Sequence, residues 1–275
     1  MRVIRAIFGH VSLARLLRVG LALAVVPLLY EIVVLHYRGA FHSRFMWAPV
    51  VSLPVVMAGG VAAGLQKDER RSRELFRPFA WWMTILGTLG TFFHLRGIAR
   101  QMGGLHNWKY NAVTGPPLPA PVQVALLGLV GVAASWRIPN NEATRDDERQ
   151  LIHSGRQFNA FSYLLIGTEA AYYHWTGNFF NPSMYIPVAL SPLMALVHTA
   201  SLCRSRLARA LELPFSTLAA LVGLVGFGFH IANILRRPGA LSWQSLFYGP
   251  PVVAPLQLSA HGLIGALLAL FSEEK

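Results

Sequence analysis

Eight long apolar stretches follow one another along the chain, near residues 19–37, 47–65, 79–97, 119–137, 155–175, 184–203, 214–236 and 251–271. Each comes close to the roughly 20 residues that a helix needs to cross a hydrocarbon core. Polar and charged residues gather between the stretches, so the pattern predicts an all-α integral membrane protein with eight transmembrane helices. The pattern also repeats. Glu31-Ile-Val-Val-Leu-His36 returns as Glu169-Ala-Ala-Tyr-Tyr-His174, Phe93-His94 as Phe229-His230, and Gly115-Pro116-Pro117 as Gly249-Pro250-Pro251. Aligning residues 31–54 with 169–192 gives eight identities in 24, among them Glu, His, Gly and two Pro. Apolar helices resemble one another through leucine, not through prolines and histidines at matched offsets, so the identities point to an internal duplication.

Four spans per copy bring the chain back to the side it started from. The expected architecture is therefore two tandem four-helix repeats in the same orientation, related by a pseudo-two-fold axis along the membrane normal. The organisation follows: a basic amphipathic N-terminal segment over 1–18, a first repeat over 19–137 and a charged cytoplasmic linker over 138–154. A second repeat over 155–271 and a tail over 272–275 complete it. In the N-terminal segment Ile4, Ile7, Phe8 and Val11 keep helical spacing, which suits a helix lying on an anionic leaflet; a frayed basic tail is the alternative.

Composition agrees with this picture. Hydrophobic residues make up 54% of the 275 and charged residues only 13%, with mean hydropathy +0.44, whereas soluble domains carry about 25% charged residues. The net charge of +12 would fit nucleic acid, but the basic residues crowd into the N-terminal segment, the 66–78 and 138–154 segments and the turn after Cys203. That asymmetry is the positive-inside pattern, which puts both termini in the cytoplasm of an inner-membrane protein and leaves no role for nucleic acid. Membrane lipid is the expected partner. The lone Cys203 permits no intramolecular disulfide and is expected as a small core residue.

The acids then single out a site. Ten of the twelve, Glu212 among them, fall in segments expected at the cytoplasmic side, which leaves Glu31 and Glu169 inside helices toward their outer ends. A carboxyl group in hydrocarbon costs at least a few kcal/mol and marks function by default. His36, His94, His174 and His230 end the same odd-numbered spans. Two carboxylates and four imidazoles at one depth make a donor set for iron, copper, zinc or manganese. Haem is the second choice, since carboxylates do not suit low-spin haem iron. Spacing weighs against a single centre: Glu31 and His36 lie about 140° apart around an ideal helix. Gln123 and Gln257 are expected to support the site from behind. Trp108 and Trp243, in the long outer loops, are expected as interface anchors or as lids.

His198 and His261 have no counterpart in the other copy and read as helix-packing groups. The Gly128/Gly131 and Gly262/Gly265 pairs read as close-packing positions. No phosphate-binding loop, dinucleotide fingerprint, metalloprotease motif or nucleophile elbow is present. The expected function is a membrane metalloprotein engaged in oxidoreduction or electron transfer. Two alternatives stand beside it. One is a transporter of an ion or small polar solute between the repeats. The other is an accessory subunit that joins other membrane subunits and holds haem, pigment or quinone.

Overall fold

The computed structural model describes residues 12–136, 145–203 and 205–272. Helix makes up 84% of it, and no strand occurs among the described residues. In chain order the helices are α1 (Leu13–Arg38), α2 (Trp47–Gly64), α3 (Glu69–Ala99), the short α4 (Trp108–Thr114) and α5 (Pro119–Ala133). They continue as α6 (Arg145–Thr176), α7 (Tyr185–Leu202), α8 (Arg206–Leu235), the short α9 (Trp243–Tyr248) and α10 (Pro255–Ser272). Most of the basic N-terminal segment, the first part of the 138–154 linker and the last three residues of the tail lie outside the described residues.

Among the described residues, five helical segments are long and apolar enough to cross a membrane: Leu13–Arg38, Arg44–Gly64, Pro182–Leu202, Arg206–Leu235 and Pro255–Ser272. Helix α5 is apolar but only 15 residues long. Helices α3 and α6 have ample length, 31 and 32 residues, but begin in charged sequence.

The charged residues 69–78 and 145–154 are thus helical and lead directly into α3 and α6. Helix α3 begins already at Glu69, because the Asp68 side chain accepts a hydrogen bond from the Arg71 amide at 2.6 Å and caps the first turn. The Arg70–Glu74 pair, 3.0 Å apart, then bridges one turn on the exposed face. Helix α6 opens with Asp146, Asp147 and Glu148, acids that favour the positive end of a helix dipole.

Helix α1 packs on α2 and α6 on α7, while α3 lies along α5 and α8 along α10. Helix α10 crosses to α1, and α5 crosses to α6, tying the first half of the chain to the second. Lipid is as apolar as leucine, so such contacts are held by close packing more than by burial from water. Small residues permit it. A Cβ on Gly128 of α5 would collide with the backbone of Thr84 and Ala80 on α3, and one on Gly262 of α10 with Ala220 and Ser216 on α8. Fully buried Leu17, Leu21, Phe76, Met83, Leu127 and Leu268 fill the space between.

After α1 the chain reverses through Ala40 and Phe41 at φ of 55° and 46°, and after α6 through Asn178 and Phe179 at 57° and 44°. Left-handed backbone at residues with a Cβ is strained, by roughly 1–2 kcal/mol per residue. Both reversals fall immediately beyond a histidine of the repeated motif.

Candidate functional site

Glu31 lies mid-bundle on α1 and Glu169 on α6, and the two side chains are within hydrogen-bonding reach of each other. Gln257 of α10 donates its amide N–H to Glu31 Oε2 at 2.6 Å. Glu31 Oε1 and Glu169 Oε1 are buried and have no donor. An ionised carboxyl group can only accept, so two that face each other need a shared proton or a cation between them. Gln123, the counterpart of Gln257 on α5, is fully buried with neither amide atom partnered. Tyr173, one turn beyond Glu169 on α6, is within electrostatic range of both acids.

The four histidines form two pairs. His36 and His94 have ring centroids 6.4 Å apart, with ring planes at 58°. His174 and His230 are near enough to act on one another electrostatically. Each ring is anchored in the same way. His36 Nδ1 lies 2.8 Å from the Met46 carbonyl and His174 Nδ1 2.7 Å from that of Met184. His94 Nδ1 lies 2.6 Å from the Pro117 carbonyl and His230 Nδ1 2.7 Å from that of Pro251. A carbonyl only accepts, so each Nδ1 carries the hydrogen and each Nε2 keeps its lone pair. All four rings are half-buried, and among the described residues no Nε2 of the set has a hydrogen-bond partner.

The local chain path supplies those carbonyls. The strained reversals at Ala40-Phe41 and Asn178-Phe179 bring the 3₁₀ turns Arg44–Met46 and Pro182–Met184 back over His36 and His174. The Gly-Pro-Pro corners end at Pro117 and Pro251, so these stiff turns feed α5 and α10 and also present an acceptor to His94 and His230. Such orientation of one imidazole nitrogen by a backbone carbonyl is the usual support of a metal-binding histidine.

The six residues expected to share one volume are thus divided between a central diacid and two histidine pairs. Among the described residues no three His, Cys, Asp or Glu side chains converge as a metal-ligating group. The 140° between Glu31 and His36 is the physical reason: one helix face cannot present both.

Trp108 and Trp243 begin α4 and α9, and both are more than half exposed. Trp243 stacks on Phe247 at 3.8 Å and donates to the Tyr37 hydroxyl at 2.9 Å. Arg38 of α1 donates to the carbonyls of Phe247 and Gly249 at 2.7 and 3.0 Å, fixing α9 to α1.

A second polar cluster, at the opposite end of the bundle, escaped the sequence reading. Glu212 was counted among the acids of the cytoplasmic segments; it is fully buried in α8. Arg156 of α6 grips it in bidentate fashion at 2.8 and 2.6 Å, and His198 Nδ1 donates to it at 3.0 Å. Asn159 then links His198 Nε2, at 3.4 Å, with the carbonyl and Nδ1 of His261, each at 3.0 Å. His198 and His261 pack helices as expected, but as members of a network. Arg18, grouped with the cytoplasmic basic residues, is likewise buried; it pairs with Glu69 at 2.6 Å and donates to the Ala134 carbonyl at 2.7 Å. The signal was available: Arg18 and Arg156 occupy matched positions of the repeat. Cys203, expected in the core, is exposed.

No protein-family model, curated protein or solved structure matches the chain.

Proposed function

We propose that the chain is an eight-span integral protein of the inner membrane, built from two four-helix repeats about a pseudo-two-fold axis. In this reading it binds haem or a transition metal on its two histidine pairs and serves oxidoreduction or electron transfer. The basic end of the bundle, with both chain termini, faces the cytoplasm by the positive-inside rule, and the histidine pairs face outward. The observation that carries the reading is the fourfold anchoring of Nδ1 on a backbone carbonyl, which leaves four half-buried Nε2 lone pairs without a partner.

Ring spacing is compatible with it. The His36 and His94 ring centroids lie 6.4 Å apart, so the two rings would be able to hold one group between them. Two protein ligands per site favour a group that brings its own equatorial donors, so haem moves ahead of iron, copper, zinc or manganese bound by side chains alone. When bound, such a group would supply one-electron chemistry. The Glu31–Glu169 pair, next to Tyr173, would hold one proton in the centre of the bundle, with Gln257 and Gln123 positioning it.

The test is an absorption spectrum and metal analysis of the full chain, purified in mild detergent from cells supplied with haem precursor and trace metals. Stoichiometric haem or metal that falls by half in His94→Ala and again in the His94→Ala/His230→Ala double variant is expected. Protein with neither haem absorption nor metal would sink the proposal. A transporter remains the second reading, favoured by the acceptor-to-acceptor contact of Glu31 and Glu169, where a cation can replace the proton. Cation flux into vesicles that is lost in Glu31→Gln would favour it over the first.

A further inference from the structure

A cavity of about 490 Å³ lies between α6, α7, α8 and α10, at the end of the bundle away from the histidine pairs. Arg149, His153 and Arg156 line it from α6, Ser201 from α7, Arg209 from α8 and Ser272 from α10. The charges around it do not cancel. Arg156 is committed to Glu212, and Arg149 meets Asp146 at 3.1 Å on an exposed edge. Arg209 has no ion-pair partner among the described residues. Ser201 is only 1% exposed, and its hydroxyl is buried without any hydrogen-bond partner. A buried hydroxyl without a partner, on the wall of a cavity rimmed by guanidinium groups, points to an occupant that carries acceptor oxygens.

We infer that this cavity binds the phosphate group of an anionic phospholipid. Residues that can donate line it from three different helices: Arg149 on α6, Ser201 on α7 and Arg209 on α8. That spread suits the tetrahedral oxygens of phosphate better than a planar carboxylate. The remaining wall is apolar, contributed by Ile152 and Leu202. Helices α7, α8 and α10 are among those apolar enough to cross a membrane, so their ends lie where lipid headgroups lie. Guanidinium groups rim the cavity, Ser201 forms part of its wall, and Ile152 and Leu202 supply its apolar side. The inference depends on membrane embedding alone and is independent of what the histidine pairs bind.

The full-length protein, delipidated in detergent, is given phosphatidylglycerol, phosphatidylcholine or sodium phosphate, and binding is read by native mass spectrometry and thermal unfolding. Phosphatidylglycerol is expected to remain bound and to raise the unfolding temperature by a few degrees, with phosphatidylcholine much weaker. The Arg149→Gln/Arg209→Gln double variant should bind about tenfold more weakly, as should Ser201→Ala. Arg209→Lys should retain most of the binding, and Arg70→Gln, on the exposed face of α3, should change nothing. Equal binding of both lipids, or undiminished binding by the double variant, overturns the inference. Protection by inorganic phosphate equal to that by phosphatidylglycerol would overturn the lipid as source and assign the cavity to a soluble phosphate.

Discussion

Two buried acidic clusters of the same bundle, one at its basic end and one near its centre, solve the same problem in opposite ways. At the basic end, Glu212 is surrounded by donors: two N–H groups of Arg156 and one of His198, with Asn159 and His261 completing the chain. Each charge there has its counter-charge, and the cluster is closed. Near the centre, Glu31 and Glu169 meet acceptor to acceptor, with a single amide donor from Gln257. That cluster is incomplete until something positive enters, whether a proton or a cation. A closed network contributes rigidity, whereas an open one leaves capacity for chemistry.

The largest expected effect tests the closed side. Replacing Glu212 with Ala leaves the Arg156 guanidinium buried without its partner, and the loss should be about 3–5 kcal/mol, measured by unfolding in detergent. Next, Asn159→Leu strands donors and acceptors of both His198 and His261 and should cost about 1–3 kcal/mol in the same assay. A stable Glu212→Ala protein would break the contrast, because the cluster would then hold nothing together.

On the open side, Glu31→Gln supplies an N–H in place of the shared proton, so stability should change by less than about 1 kcal/mol. Infrared difference spectra should at the same time lose a protonated carboxyl band. A loss of stability as large as that of Glu212→Ala would make the diacid structural. The smallest effect on folding is expected for His94→Ala and His230→Ala, within about 0.5 kcal/mol, while bound haem or metal falls. Those two variants sharpen the comparison most, since they separate ligand capacity from stability.

The helical class, five of the eight expected apolar spans and the proximity of Glu31 to Glu169 were legible in the residues alone. Hydropathy reports directly on apolar segments, and the matched offsets of the two Glu-x4-His motifs singled out the two acids. The Glu212 cluster was not legible, because charge counting by segment placed Glu212 outside the apolar core. Helix α8 begins at Arg206, eight residues earlier than hydropathy indicated, and thereby carries Glu212 inward to Arg156. The division of the donor set into three places was foreshadowed by the angle between Glu31 and His36, but the carbonyl anchors were not. They depend on how the chain doubles back after each helix; the Gly-Pro-Pro corners marked two of those turns in the sequence, but not which carbonyl meets which ring.

Those carbonyl anchors have an evolutionary consequence. The imidazoles are aimed by main-chain atoms of residues 46, 117, 184 and 251, so the side chains at 46 and 184 can drift without disturbing the aim. Relatives of this protein should therefore be sought by the intervals between histidine and corner, with the intervening letters ignored. A mutational scan should find positions 46 and 184 permissive to most residues but intolerant of insertion or deletion on either flank.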